Sequence, residues 1–427
     1  MSIAPLSVLH LSTSDAIGGS SRSAYRVHAG LRRLGVRSRM VVRVKATRDP
    51  DVEPMAGPVV GAADFLADGV TQLLSLQYLF YPSSFLLRLR RVFRDADIVQ
   101  LYNTHGNYFA HTALPLLARA RPLVWRLSDM WPLTGHCAYS YGCDRWRSGC
   151  GACPLLGDYP RLRRDTTALL WRIKRRAYSA CRLTVVTPSR WLAGLVGQSP
   201  LLGAFPVHVI PNGADPDIYR PRPRQAARAS LGLPGAGRVI LYSAFALTDR
   251  RKGYAVFREA MERLAARGER DLLVLVAGSG GERIATELPF AVHALGAVGD
   301  EAVMASAYAA ADVFVLPTLA ENFPNALLES FACGTPAVAF DVGGVSEVLA
   351  HMRTGYLVSD VEAAGLAGGI RHLLGDAELR AGMGRECRAT VEREYTAAGE
   401  ARRFLDLYRE VLSGERSAAL AGEVGHV

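Results

Sequence analysis

The sequence predicts an α/β protein made of two doubly wound, Rossmann-like domains. Three observations lead there. Short apolar, β-branched runs recur through both halves, among them residues 7–11, 97–101, 239–242 and 312–316. Each gives way to a loop rich in Gly, Pro or Asn and then to a stretch of helical periodicity, the alternation that builds parallel sheets. The chain has 427 residues and 46.2 kDa, enough for two or three sizeable cores, and its 49% hydrophobic and 21% charged residues are those of a globular protein.

Residues 7–11 read as the first strand, since the stretch before them lacks the basic region of a secretion signal. No apolar run reaches the roughly 20 residues of a membrane helix, so a cytoplasmic location is expected. Gly18 and Gly19 separate this strand from a helical stretch at 23–33. Glycines at a helix start let backbone amides approach an anion, although a lone glycine turn is weak evidence. Residues 39–43 read as a strand and 49–58 as a turn-rich connection. The stretch 69–93 is rich in Leu, Tyr and Phe and leads into Arg88, Arg90, Arg91 and Arg94. As one basic amphipathic helix it would suit core packing, an acceptor cleft or a membrane surface. Residues 97–101 form a strand, and His105 lies just beyond it, as a substrate hydrogen-bond donor or a structural cap. Residues 123–127 lead to Ser128 and Asp129, and 161–178 read as a helix that packs its apolar stripe and solvates its arginines.

Strands at 183–186 and 207–210 close the first half, and Pro and Arg crowd at 211–223 as a linker. The expected domains are therefore 1–210, with a Cys-rich loop at 136–154, and 211–395. Residues 396–427 supply a last helix that crosses back to the first domain, with a tail after Ser413 lacking fixed structure. In the second half, strands at 239–242 and 272–277 precede Lys252-Gly253 and Gly278. Lys beside Gly at a helix start suits a diphosphate. Residues 312–316 form a strand, Pro317 breaks it, and Pro324 stands where a helix begins.

Glu321 and Glu329 flank that helix start with seven residues between them, followed by Cys333-Gly-Thr-Pro336. This string closely resembles the E-x7-E signature of retaining glycosyltransferases of family 4, which have the GT-B fold of two domains facing across a cleft. The strings at 187–193 and 209–215 resemble the same family. The resemblance implies a hexosyltransferase moving a sugar from a nucleoside-diphosphate donor to a hydroxyl of a glycan or lipid-linked acceptor. It implies that Glu321 contacts the donor sugar and Glu329 the ribose. Gly18, Gly19, Arg251, Lys252, Gly278, Asn322, Phe323, Pro324 and Asn325 join them around the donor. It also implies no cofactor for the chemistry, because basic side chains offset the leaving diphosphate. Two departures stand out: Ser128 occupies the place of a family histidine, and Ala246 that of an arginine, for which Arg250 or Arg251 would substitute. Asp129 is then the expected catalytic group, helped by His136, with His105 as a further candidate.

Cys137, Cys143, Cys150 and Cys153 fall within 17 residues. The two-residue gap of the last pair fits a tetrahedral metal, so a structural zinc is one reading, with disulfides or free thiols as the others. Similar loops occur in the part of family 4 that resembles exopolysaccharide and colanic-acid transferases. Net charge is +10, and residues 1–210 hold 27 Lys and Arg against 12 Asp and Glu. A basic first half suits a phosphorylated or membrane-bound acceptor at the inner face of a membrane, as well as a solvated surface. No nucleic-acid motif accompanies it. A basic binding protein and a catalytically impaired GT-B scaffold are the rival readings.

Overall fold

The computed structural model describes residues 5–424. The chain forms two compact units, Met1–Pro211 with Glu400–Val427, and Asn212–Gly399. The first unit holds seven strands: β1 (Ser7–Ser14), β2 (Arg37–Val44), β3 (Val52–Pro54), β4 (Ile98–Leu101), β5 (Leu123–Arg126), β6 (Leu183–Thr187) and β7 (Val207–Val209). The second holds six: β8 (Arg238–Ala246), β9 (Leu272–Ser279), β10 (Ala291–Ala294), β11 (Val313–Leu316), β12 (Ala337–Phe340) and β13 (Gly355–Val358). Spatial order is β3-β2-β1-β4-β5-β6-β7 and β10-β9-β8-β11-β12-β13, and every pairing is parallel.

Both faces of a parallel sheet must be covered, which is why the central strands read as unbroken apolar runs. In β8, Val239 and Leu241 enter one core while Ile240 and Tyr242 enter the other; in β11, Phe314 and Leu316 part from Val313 and Val315 in the same way. Strand order reverses between β1 and β4 in the first unit and between β8 and β11 in the second. Loops leaving the C-terminal ends of such strand pairs form the crevice where open α/β sheets bind ligands.

The strands absent from the sequence reading, β3, β10 and β13, are all sheet edges. Each is three or four residues long and partly exposed, as befits a strand with only one neighbour. The stretch 69–93 is not one helix. A helix ends at Leu73, Ser75 and Tyr78 adopt positive φ, and short helical pieces follow at Pro82–Leu86, Leu87–Leu89 and Arg91–Arg94. The helix Thr167–Ser179 buries Leu170, Trp171, Ala177 and Tyr178, and on the same stripe Lys174. Its ammonium donates to Trp131 O (2.6 Å) and Thr134 O (3.0 Å) and lies 3.3 Å from the centre of the Trp131 ring. Residues after Ser413 are described as the backbone of the helix Ala397–Val424, and 425–427 lie outside the described residues.

The N-terminal end of β11 is fixed by Asp312, which is buried. It accepts from Arg228 Nη2 (3.0 Å) and Val239 N (2.8 Å) and pairs with Arg224 Nη1 at 2.8 Å. Arg228 also donates to the carbonyls of Ala310, Gly235 and Gly237, so one guanidinium joins its own helix to the loop before β8 and to the entry of β11. Removing one member strands the other's charge in the interior. Asp312→Ala should lower stability by about 3–5 kcal/mol, read from the denaturant midpoint of the parent and variant.

Candidate functional site

The second unit places its charged loops at the reversal between β8 and β11. After β8, Asp249 caps a tight turn at Arg250–Lys252, accepting from Arg251 N at 2.9 Å. Gly253 follows at φ +71°, and a Cβ there would stand 1.7 Å from Pro317 O, in the loop after β11. The Arg251 carbonyl accepts from Leu319 N (2.8 Å) and Thr318 Oγ1 (3.1 Å). These contacts tie the two loops together backbone to backbone.

Three charges meet where the loops touch. Lys252 Nζ lies 2.8 Å and Arg251 Nη1 3.2 Å from Glu321 Oε2. Arg251 also donates to Ala320 O (3.1 Å), and Asn322 N donates to Glu321 Oε1 (3.3 Å). Burial alone would raise the Glu321 carboxyl, but the two cations outweigh it and hold it at about 2. For Lys252 burial is the larger influence and pulls its ammonium down, with Glu321 opposing. The carboxylate is therefore ionised throughout the physiological range. Arg251 is the second cation at this carboxylate.

The remaining residues expected at the donor surround this trio or sit deeper. The loop after β12 backs Glu321: Gly343, at φ +62°, would set a Cβ 1.7 Å from Glu321 O, and Gly344 N donates to that same oxygen at 3.3 Å. Pro324 is the N-cap of the helix Asn325–Ala332. Asn325 Oδ1 accepts from Asn212 Nδ2 at 2.6 Å, and Phe323 is buried against Tyr395. Glu329 is buried on that helix and accepts from Tyr308 OH at 3.4 Å. Gly278, at the end of β9, donates its N–H to Gly296 O (2.7 Å). Asn212 stands in the family-like string 209–215, but its pairing with Asn325 had no local signal, the two being more than a hundred residues apart.

In the first unit the reversal lies between β1 and β4. The loop after β1 ends in Gly18 (φ +85°), N-cap of the helix Gly19–Arg33. After β4, His105 Nε2 lies 2.8 Å from Asp129 Oδ2, and its Nδ1 faces the Tyr159 hydroxyl at 3.3 Å. Asp129 Oδ1 accepts from Trp131 N (2.9 Å), and Trp131 packs on the imidazole. Ser128 Oγ lies 2.8 Å from Ser20 Oγ, at the start of the first helix. A histidine thus does meet Asp129, from the neighbouring strand's loop and not from the adjacent residue.

The family descriptions that match cover both units: "Glycosyltransferase Family 4" over residues 17–218 and "Glycosyl transferases group 1" over 237–376. The chain belongs to glycosyltransferase family 4. Among relatives of this family 4 chain, D-inositol 3-phosphate glycosyltransferase of Acidothermus cellulolyticus is 36% identical over 56% of this chain and 55% of its own length. Phosphatidyl-myo-inositol mannosyltransferase of Mycolicibacterium smegmatis is 36% identical over 43% of this chain and 47% of its own. The chain spans about half the length of these curated relatives. The fold is GT-B: sucrose-phosphate synthase from Thermosynechococcus elongatus superposes with a TM-score of 0.66, 19% identity and 96% and 100% coverage. Anabaena HepE in complex with UDP and glucose gives 0.66, 18%, 95% and 100%.

His136 is not at Asp129. Its Nδ1 bonds Pro160 O (2.9 Å) and its Nε2 faces Cys153 Sγ (3.4 Å), within a small cavity lined also by Cys137, Cys143 and Cys150. Its expected help to Asp129 is corrected accordingly. Nor do the four sulfurs assemble a zinc site. Among the described residues no group of three or more His, Cys, Asp or Glu side chains is placed to hold a metal ion, and the cysteines are free. The thiols are engaged otherwise: Cys150 Sγ accepts from Gly135 N (3.2 Å), Cys153 Sγ from Leu155 N (3.4 Å), and burial pushes Cys137 and Cys150 up to about 12 and 11.

Gly343→Ala forces the Glu321 backbone to move and should lower both the melting midpoint and nucleotide-sugar affinity. Gly368→Ala, in the helix Ala363–Gly375 with open space around it, should leave affinity unchanged and stability level or raised by about 1 kcal/mol. A second expectation concerns acid. The folded Glu321 value, about 2, lies below its ordinary 4.5, so its stabilisation is complete above pH 4.5 and is lost as pH falls towards 2. The stability gap between parent and Glu321→Gln should be widest above pH 4.5 and shrink below it, as acid titrations of unfolding would show.

Proposed function

We propose that this family 4 chain is a retaining glycosyltransferase that moves a sugar from a nucleoside diphosphate to a hydroxyl of a glycan or lipid-linked acceptor. The observation that carries this reading is the Arg251–Lys252–Glu321 trio at the β8/β11 reversal. An anionic leaving diphosphate needs positive charge that is already in place, because reorganising solvent is slow and costly. Lys252 and Arg251 provide it. Glu321, fixed as a carboxylate, accepts hydrogen bonds from sugar hydroxyls and orients the ring. Glu329 takes the ribose hydroxyls. The acceptor oxygen attacks the anomeric carbon on the face the diphosphate leaves; the anomeric C–O bond to phosphate breaks, a new one forms, and the acceptor proton passes to the departing phosphate oxygen. The UDP named with Anabaena HepE supports a nucleoside diphosphate donor, and the inositol phosphate and phosphatidylinositol in the relatives' names support a phosphorylated or lipid-borne acceptor. The basic first half favours the same acceptors.

In the first unit, His105 and Asp129 are the groups assigned to the acceptor side, with Tyr159 holding the imidazole. Gly18 and Gly19 open a helix whose first-turn amides suit a diphosphate. Peripheral contact with the inner face of a membrane belongs to this reading, as does a cytoplasmic location. No helix among the described residues is long and apolar enough to cross a membrane.

Titration calorimetry with a panel of nucleotide sugars, followed by product analysis, tests the proposal. Binding with slow hydrolysis, or transfer to added acceptor, is expected; binding without turnover would indicate the scaffold reading, and no binding the basic binding protein. Lys252→Ala should weaken donor binding by about 10- to 100-fold, the worth of a charge-assisted contact. His105→Ala should reduce turnover by about 100-fold or more while leaving donor affinity near the parent's, as for a group acting on the acceptor. A Glu329→Ala protein with full transfer activity would contradict the ribose assignment.

A further inference from the structure

Amphipathic helices in globular proteins turn their apolar stripe inward. The helix Pro58–Leu73 does the reverse. None of its residues is buried, while Val59, Phe65, Leu66, Val70 and Leu73 are 84, 78, 68, 58 and 62% exposed. Val59, Leu66, Val70 and Leu73 are spaced by seven, four and three residues and so share one face, flanked by Phe65. Its carboxylates point the other way: Asp64 accepts from Ser83 N (3.0 Å), and Asp68 accepts from Asn107 Nδ2 (2.7 Å) and from the Tyr81 hydroxyl. The outer face is thereby apolar and cleared of negative charge. The piece Pro82–Leu86 packs against it, and the stretch around that piece continues the pattern in sequence, with Phe80, Leu86 and Leu89 exposed and Arg88, Arg91 and Arg94 exposed among and after them, Arg91 paired with the exposed Asp95 at 3.1 Å. An apolar patch of this extent on a soluble surface marks a contact site.

We propose that the outward face of the helix Pro58–Leu73 docks on an anionic lipid surface, inserting its apolar side chains among the acyl chains. An interfacial helix lies flat with its apolar side in the acyl boundary and cations at the headgroups, and this segment supplies both. A second copy is disfavoured as the occupant because it would bring the same excess of 27 Lys and Arg over 12 Asp and Glu to the contact. The inference rests on the reading above in one respect, that a lipid-borne acceptor resides at such a surface.

The test is flotation of the full chain with phosphatidylcholine vesicles, alone or with about one-third phosphatidylglycerol to give the charge that attracts basic segments. The parent should float with the anionic vesicles. Phe65→Ser/Leu66→Ser, both at exposed positions, should reduce partitioning about tenfold or more. Arg88→Ser/Arg91→Ser/Arg94→Ser should remove the preference for anionic lipid, and Val361→Ser, an exposed apolar residue of the other unit, should change nothing. Nucleotide-sugar binding in lipid-free buffer should be the same for all four proteins. Parent protein that ignores anionic vesicles would overturn the proposal. So would a Phe65→Ser/Leu66→Ser protein that floats like the parent, or a parent dimer in lipid-free buffer that this variant turns into a monomer. Absent donor binding with the vesicle pattern intact would remove the transferase reading and leave the docking face standing.

Discussion

A carboxylate shielded from water keeps its charge at least cost beside a cation, and a shielded ammonium at least cost beside an anion. Glu321 satisfies both requirements for Lys252 and Arg251 at once, and the loops of the second unit are shaped around that mutual need. Gly253 lets the turn bearing the cations press against the Pro317 carbonyl, and Gly343 lets the loop after β12 press against the Glu321 carbonyl. Neither approach tolerates a side chain. The trio is assembled in the absence of substrate, and under the proposed reading that is the condition in which fixed charges lower a barrier instead of being reorganised by it.

The first unit solves a different problem with weaker signals. Its His105–Asp129 pair is assembled from two loops, steadied by Trp131 and Tyr159, and Trp131 is itself clamped by Lys174. That lysine is fully enclosed, and burial pulls its ammonium down to about 7. Two carbonyl acceptors and an aromatic face replace its hydration. Donating from such a place, the Lys174 amine fixes the loop that carries Asp129, and it does so without a carboxylate partner of its own.

How much of this could be read from the residues alone follows from how local each signal is. Central strands such as β8 and β11 were legible because burial on both sheet faces leaves a continuous apolar run. The edge strands β3, β10 and β13 were not, being short and half solvated. Glu321, Glu329 and Lys252 stood in recognisable strings, and so did Asp129. The partner of Asp129 did not: His136 is nearer in sequence, but strand order brings the β4 and β5 loops side by side and sets His105 against it. Lys174 hid inside a run of basic residues that looked solvated, since helical spacing gives the face a residue occupies and not what awaits it there. The cysteines were close in sequence and do line one cavity, yet spacing could not foresee that backbone amides and His136 would engage their sulfurs.

The chain leaves the first unit at Pro211 and returns to it at Glu400, and the two crossings are clasped within the second unit, where Ala214 N donates to Tyr395 O and Ala397 N to Ala214 O. The returning helix then places Phe404, Leu405, Leu407 and Tyr408 in a core shared with Val8, Val27, Ile98 and Val186, and Tyr408 donates to Gln100. The first unit therefore lacks part of its core until residues 400–412 are made, whereas the second unit is drawn from the unbroken stretch 212–399. During synthesis from the N-terminus, the part encoded second is the first that can finish folding. The part encoded first has to wait, with that side of its core incomplete, for the helix that begins at Ala397 to leave the ribosome.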